Sequence, residues 1–497
     1  MAKSRIGLLL AVAALAHAQD RPAIERWVAA HQRQVMAEFT ELLSIPDVGT
    51  DRQNIRRNAE FIRAMLERHG LKSELLETTG NPLVYGERNV PSATRTILFY
   101  IHYDGQPVDL PKWKQESPFH PIMRDGRMED GAKTVPNFNS LDKLPDDWRI
   151  YARSASDDKA PIVALCAALD ALQGKTRSNI HVVIDGEEEM NSPSLTAAIA
   201  RYRDKLKASV LLILDGPVHA SGRPTLAFGA RGIVTVDLTL YGPKMALHSG
   251  HYGNWIPNPG MRLAQLMATM KDEQGRTTIA GFYDSVPPLT AQQRQVLKGV
   301  PDDEPALLKL FGVARPDAVG ESLQEAIQYP SLNIRGMQSG YVDEPRTIIP
   351  PDARAAIDIR LVKETPSARM VQLLRAHIEK QGYHVVDRDP DDATRMRYPK
   401  LIRLKTGEGT EAYRTEPESP EGVATTQALT RIWGAEPVRI RTMGGTVPIA
   451  PFIRELGVPA VGVPVVNFDN NQHGDNENLR LGNLWTGIVT LSAMLRM

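Results

Sequence analysis

Short, nearly uninterrupted apolar runs recur in the first half of the chain, at Thr96–Ile101, Asn179–Ile184 and Val210–Leu214. Runs of this length, separated by helical segments, predict strands of a sheet covered by helices on both faces, because such strands have no wet side to alternate with. Trp27, Val28, Val35, Phe39 and Leu42 share one face over Arg26 to Leu43, which predicts an amphipathic helix. A second helix is predicted from about Asn54 to His69, stopped by Gly70, and a third from Ala160 to Leu172. Near Gly229 the texture changes. Ile233–Leu240 partly alternates, as in a sheet with one solvated face. A helix from about Pro259 to Lys271, a strand over Ala355–Val362 and a helix over Ala368 to Gln381 complete an α+β unit. Two stretches carry no clear period: the Pro-, Gln- and Asp-rich residues 280–330, and the polar segment from Asp387 to Glu418. The pattern then returns to a helix-strand-helix-strand-helix series ending at Met497. The predicted class is α/β: a discontinuous domain with a helix-flanked mixed sheet, residues 19–229 and 414–497, with an α+β domain inserted at 230–413.

The N-terminus adds an expectation of its own. Lys3 and Arg5 precede the apolar run Ile6–Ala16, and Ala16-His17-Ala18 follows. That order matches a signal peptide over residues 1–18, cleaved after Ala18. The run is shorter than the roughly 20 apolar residues a membrane span needs, and no other stretch qualifies. The expectation is an exported chain, periplasmic or released, without a membrane span in its mature form.

Charge and cysteine content mainly exclude. Lys plus Arg and Asp plus Glu each number 59, so the formal net charge is zero and nothing calls for a nucleic-acid partner. Cys166 is the single cysteine, which rules out an intrachain disulfide and a cysteine metal cluster. It lies within Ile162–Leu169 and reads as a small buried hydrophobe. Any metal would be held by His, Asp and Glu.

Such residues gather just after predicted strands, where open α/β sheets place their ligands. His102-Tyr103-Asp104 ends the first apolar run. Residues two apart on an extended chain point the same way, so Asp104 can hydrogen-bond the ring of a metal-bound His102. Ser156-Asp157-Asp158-Lys159 enters a helix, and Asp185-Gly186-Glu187-Glu188-Glu189 follows a buried strand. Asp215-Gly216 follows another, and His473-Gly474-Asp475-Asn476-Glu477 follows Ala460–Val466. Each has an ordinary reading as a turn or helix cap. Together, carboxylates at successive strand ends would repel one another without a cation.

The order HxD, DDK, EEE after a strand, an Asp after the next strand, LHSG, GGT and HxxNE resembles the M20 metallopeptidase family, over nearly all of the chain beyond residue 18. That family includes carnosinase-like dipeptidases, glutamate carboxypeptidases and aminoacylases. The resemblance implies a catalytic domain at 19–229 and 414–497 and a lid and dimerisation domain at 230–413. It implies two zinc ions, with manganese or cobalt as alternatives: His102 and Asp215 on one, Glu189 and His473 on the other, Asp157 bridging. Glu188 matches the general base, and Asp104, on the ring of His102, counts with it among the catalytic residues. His248, in Leu247–Gly250, matches a histidine that reaches the partner's site in a homodimer and stabilises the oxyanion. Asn333, Thr347 and Arg360 match substrate contacts, and Arg360 suits a terminal carboxylate. Gly444-Gly445-Thr446, before a helix predicted near Pro448, would complete the carboxylate pocket through Gly445 and Thr446. Glu187 matches no catalytic position and is read as exposed, and Asp158 and Lys159 as shaping the turn.

The chain departs from the family at Ala152-Arg153-Ser154, at Ala160 and at Asn191, and carries long segments at residues 128–147 and 280–330. The implied activity is hydrolysis of dipeptides, or of C-terminal residues of small peptides bearing a free carboxylate. An N-acyl-amino-acid amidohydrolase and a non-catalytic binding protein on the same scaffold are the alternatives. A serine hydrolase is excluded by the lack of a Gly-x-Ser-x-Gly elbow.

Overall fold

The computed structural model describes residues 20–497, so the proposed signal segment lies outside the described residues. The described chain forms two compact units. One contains residues 20–229, Thr415–Arg441 and Pro451–Met497; the other contains Ala230–Arg414 and Thr442–Ala450.

The first unit is built on an eight-stranded mixed sheet. Thr96–His102 runs through its middle, parallel to Asn179–Asp185 on one side and to Val210–Ile213 on the other. Ala460–Gly462 continues the parallel set beyond Val210–Ile213. Lys72–Leu76 and Leu83–Arg88 add an antiparallel margin. In Thr96–His102 only the first residue escapes full burial, which is why the run does not alternate. Because four central strands are parallel, their C-terminal ends share one edge. His102, the glutamates after Asp185, Asp215 and the segment after Gly462 all leave the sheet there.

The helix Lys159–Ala171 is buried from Lys159 through Leu169, packed against Asp20–Leu43 and Leu481–Met494. A helix without a polar stripe must be covered on all sides. Ile162, Leu165 and Leu169 contribute about 1.5–3 kcal/mol each by burial. Cys166 sits among them, its thiol pKa pushed up by burial. The N-terminal helix begins at Asp20 rather than Arg26. The next spans Arg52–Arg68 and is capped by Asp51, whose carboxylate accepts the Asn54 N–H. A small antiparallel sheet joins Ile122–Arg124, Arg149–Tyr151 and Asn478–Arg480, tying the long loop before Asp157 to the segment after His473.

The second unit is a five-stranded sheet whose core joins Val234, Val236, Leu238 and Leu240 to Ile357 and Ile359, covered by the helices Pro259–Ala268 and Ser367–Lys380. Both unpatterned stretches hold structure. Within Asp387 to Glu418, Leu401–Thr410 is a strand paired antiparallel with Gly232–Tyr241. Only its first half is apolar, through Leu401, Ile402 and Leu404, so its length comes from the neighbour it pairs with rather than from its own period. Residues 280–330 contain the helices Ala291–Lys298, Glu304–Phe311 and Leu323–Ala326. Thr290 and Gln293 form a reciprocal capping box on the first, and Asp303 and Ser322 cap the others.

Candidate active site

The shared sheet edge of the first unit gathers two overlapping donor groups. His102, Asp157 and Asp215 form one; Asp157, Glu189 and His473 form the other, with donor atoms within 4.8 Å of one another in each. Asp157 belongs to both. Its Oδ1 lies 3.0 Å from His102 Nε2 and its Oδ2 3.1 Å from His473 Nε2. His473 Nε2 is also 3.4 Å from Glu189 Oε2, which accepts a 2.6 Å hydrogen bond from Gln106 Nε2. His102 and Asp215 leave the protected edge of the sheet, and Asp157 stands on the buried loop that enters the helix Lys159–Ala171. His473 stands on an exposed turn, with its own φ at 60° and those of Asn471 and Asn476 at 57° and 59°. Asn tolerates that left-handed region, whereas a histidine there carries strain of about 1–2 kcal/mol.

Asp104 is arranged differently from the sequence expectation. His102 Nδ1 is 3.1 Å from the Asp104 main-chain carbonyl and 3.5 Å from its carboxylate. The Asp104 carboxylate instead accepts the N–H groups of Glu188 and Glu189, at 3.0 and 3.1 Å. It therefore fixes the turn that carries both glutamates. Glu187 is corrected from exposed to buried. Its two oxygens accept the N–H groups of Asn81 and Ser194, at 2.8 and 3.1 Å, so it anchors the same turn from below. The Glu188 carboxylate has no hydrogen-bond partner among the described residues.

Asp158 and Lys159 are both buried. Lys159 Nζ donates to the Leu42 and Ile45 carbonyls and lies 2.8 Å from Asp47, which pins the ligand loop to the N-terminal helix. Glu477 is the residue that sequence reasoning missed. One oxygen accepts from Ser156 N, Ser156 Oγ and Asp157 N, the other from Ser154 N and Arg153 Nη1, all at 2.9 Å. A fully buried carboxylate thus holds the backbone on which Asp157 stands. Its signal was present in the HxxNE motif, but nothing local says which N–H groups it meets.

Electrostatics test whether this set suits cations. Burial, then the charge of Asp157, pushes the Asp215 carboxyl up to about 6 and Glu189 up to about 7. Burial also raises Glu188 well above the usual carboxylate range, and the nearby Asp215 and Glu189 add to it. Asp157 alone is held down: burial opposes its charge, but the two histidines outweigh it. His473 is pushed up to about 9, first by its bond to Asp157. The carboxylates outnumber the available positive charge, and two divalent cations between these donors would relieve that excess. Three protein donors for each ion, of nitrogen and oxygen type, suit zinc with an open position. The residues fit a two-metal centre.

The remaining predicted residues lie in the second unit. Exposed His248 pairs with Ile348 across a two-residue ladder, and Ser249 N donates to the Thr347 carbonyl, so His248 and Thr347 are neighbours. Arg360 Nη1 donates to Thr446 Oγ1 at 2.9 Å, and Asn333 Nδ2 donates to Asp358 at 2.9 Å. Asp358 also lies 3.9 Å from Arg360 Nε, so Asn333, Arg360 and Thr446 form one polar group. Gly445 is exposed with open space where a Cβ would stand. The helix after it begins at Ala450 rather than Pro448, so the Gly-Gly-Thr turn stands clear of a helix N-terminus.

Comparison with known proteins places this geometry in context. The model of peptidase family M20/M25/M40 matches residues 134–497. A Cys-Gly metallodipeptidase of Candida albicans is 26% identical, over 91% of this chain and 92% of its own. A human beta-Ala-His dipeptidase is 25% identical, over 83% and 76%. The M20 metallo-carboxypeptidase Sso-CP2 of Sulfolobus solfataricus superposes with a TM-score of 0.73 at 30% identity, covering 93% of this chain and 98% of its own. The expected export is corrected: the similarity to Cys-Gly metallodipeptidases and beta-Ala-His dipeptidases does not support it. The periplasmic or secreted assignment is withdrawn. No helix among the described residues is long and apolar enough to cross a membrane.

Proposed function

We propose, because the chain belongs to peptidase family M20/M25/M40 and is a peptidase, that it is a two-metal dipeptidase acting on small peptides with a free C-terminal carboxylate. The observation that carries this reading is the position of Asp157, one oxygen toward His102 and the other toward His473, with the unbonded Glu188 alongside. His102 and Asp215 would hold one ion, Glu189 and His473 the other, and Asp157 both; zinc suits these donors, with manganese or cobalt as substitutes. When bound, the ions supply Lewis acidity toward the scissile carbonyl and lower the pKa of a water.

The chain's own groups do the rest. Glu188 takes the water's proton on its carboxylate and returns it to the leaving amine, a role that its raised pKa suits. Asp104 and Glu187 keep Glu188 in place from either side of its turn. Arg360, with Asn333, Thr347, Gly445 and Thr446, receives the substrate's carboxylate and polar backbone. His248 stabilises the oxyanion in the site of a second copy, which makes a homodimer the active form.

The test is an assay of metal-stripped and zinc-reloaded protein on paired dipeptides and N-acyl amino acids. Zinc-dependent release of amino acids from dipeptides supports the proposal. Cleavage confined to N-acyl amino acids would overturn it in favour of an amidohydrolase.

A further inference from the structure

The helix Glu304–Phe311 of the second unit contains Leu307, Leu308, Leu310 and Phe311, yet none of its residues is fully buried. A helix of this length depends on tertiary packing of its apolar face, so a face left uncovered asks what fills it. Leu308 and Phe311 border a cavity of about 390 Å³, closed on another side by Leu323 and Ile327. Small-molecule sites are typically about 300–1,000 Å³ and apolar, with a few fixed polar groups.

The fixed polar group here is Arg231, only 7% exposed, which also borders the cavity. Its Nη2 donates to the Tyr329 carbonyl and to Ser331 Oγ, at 2.8 and 2.9 Å, while its Nε has no partner. No carboxylate among the described residues forms an ion pair with it. The neighbouring Asp358 bonds Asn333 and faces Arg360. Burial, and secondly the charge of Arg360, push the Arg231 pKa down to about 10, as expected of a cation short of a counter-charge. Three acids also border the cavity: Glu304 accepts the Leu323 N–H at 2.8 Å, Asp317 pairs with Lys271 at 3.2 Å, and Glu321 is exposed to solvent.

We propose that this cavity binds a small amphipathic monocarboxylate, its carboxylate on the Arg231 guanidinium and its hydrocarbon part against Leu308, Phe311 and Ile327. A buried guanidinium without an acidic partner supplies charge-assisted bonds to one carboxylate. The uncovered apolar wall supplies the transfer free energy of a short alkyl or aryl chain. Beyond Arg231 the charged lining is Glu304, Asp317 and Glu321 against Lys271, a net acidic rim that selects against dianions.

The test is calorimetric titration of the full-length, metal-loaded protein with octanoate, and with octanamide as its neutral counterpart. Octanoate should bind with one-to-one stoichiometry, at least tenfold more tightly than octanamide. Ala326→Trp, which places an indole in the cavity, should weaken octanoate at least tenfold. Arg231→Gln should remove the preference for the anion. Glu189→Ala should leave octanoate binding unchanged. The proposal is overturned if octanoate does not bind, if octanamide binds equally well, or if binding survives Ala326→Trp. It is also overturned if binding is lost in Glu189→Ala, since that would place the carboxylate at the metal centre.

Discussion

Two places in the first unit set a histidine between carboxylates, and they are built to opposite ends. His69 Nδ1 lies 2.9 Å from Asp170 and its Nε2 2.9 Å from Glu38, which Arg68 also contacts at 2.7 Å. There two acids face two cations, and the group is closed. Burial alone would lower the His69 pKa, but the two bonds outweigh it and push it up to about 9. At the sheet edge His102 and His473 face Asp157, Glu188, Glu189 and Asp215, and three of those four acids are driven up rather than down. The balance of charge, not the presence of histidine and acid together, separates a structural bridge from a site that wants a cation.

The largest effect should come from Glu188→Gln. It keeps the donor set intact, so metal content by elemental analysis should be unchanged while kcat falls by about 10²–10⁴. Retained turnover would remove Glu188 as the base. Glu477→Gln sharpens the contrast from the side of the scaffold. An amide cannot accept all five hydrogen bonds that the carboxylate receives, so unfolding free energy should drop by about 3 kcal/mol, with weaker zinc binding in equilibrium dialysis. Unchanged zinc affinity would reduce Glu477 to a purely structural group.

The smallest effect concerns the closed group around His69. A folded-state pKa above the unfolded value of about 6.5 stabilises fully below that pH, and the contribution fades as pH rises toward 9. His69→Gln should therefore cost about 2 kcal/mol in urea unfolding at pH 6 and almost nothing near pH 10. Dipeptidase activity should not change. A loss independent of pH would mean that packing, not charge, is what His69 contributes.

Much of this was legible because the parallel strands announce themselves. Thr96–Ile101 and Asn179–Ile184 are apolar enough to be read without neighbours, and the chemistry follows directly after them. Glu187, Glu188 and Glu189 were harder, since three identical side chains differ only in which N–H groups the fold brings near each. Asn81 and Ser194, which bury Glu187, are 106 residues before it and 7 after it. Glu477 was hidden in the same way, by partners more than 300 residues away. The strand Leu401–Thr410 went unread because its polar half is held by a ladder to Gly232–Tyr241. The helices after residue 290 were readable in principle from the caps Thr290, Asp303 and Ser322.

With Lys159 through Leu169 all buried, the backbone around Asp157 can open only when the unit's core opens, so its amides should exchange with solvent as slowly as global unfolding allows. His473 sits outside that core, on an exposed turn with left-handed backbone. The centre therefore has one jaw locked into the core and one that faces solvent.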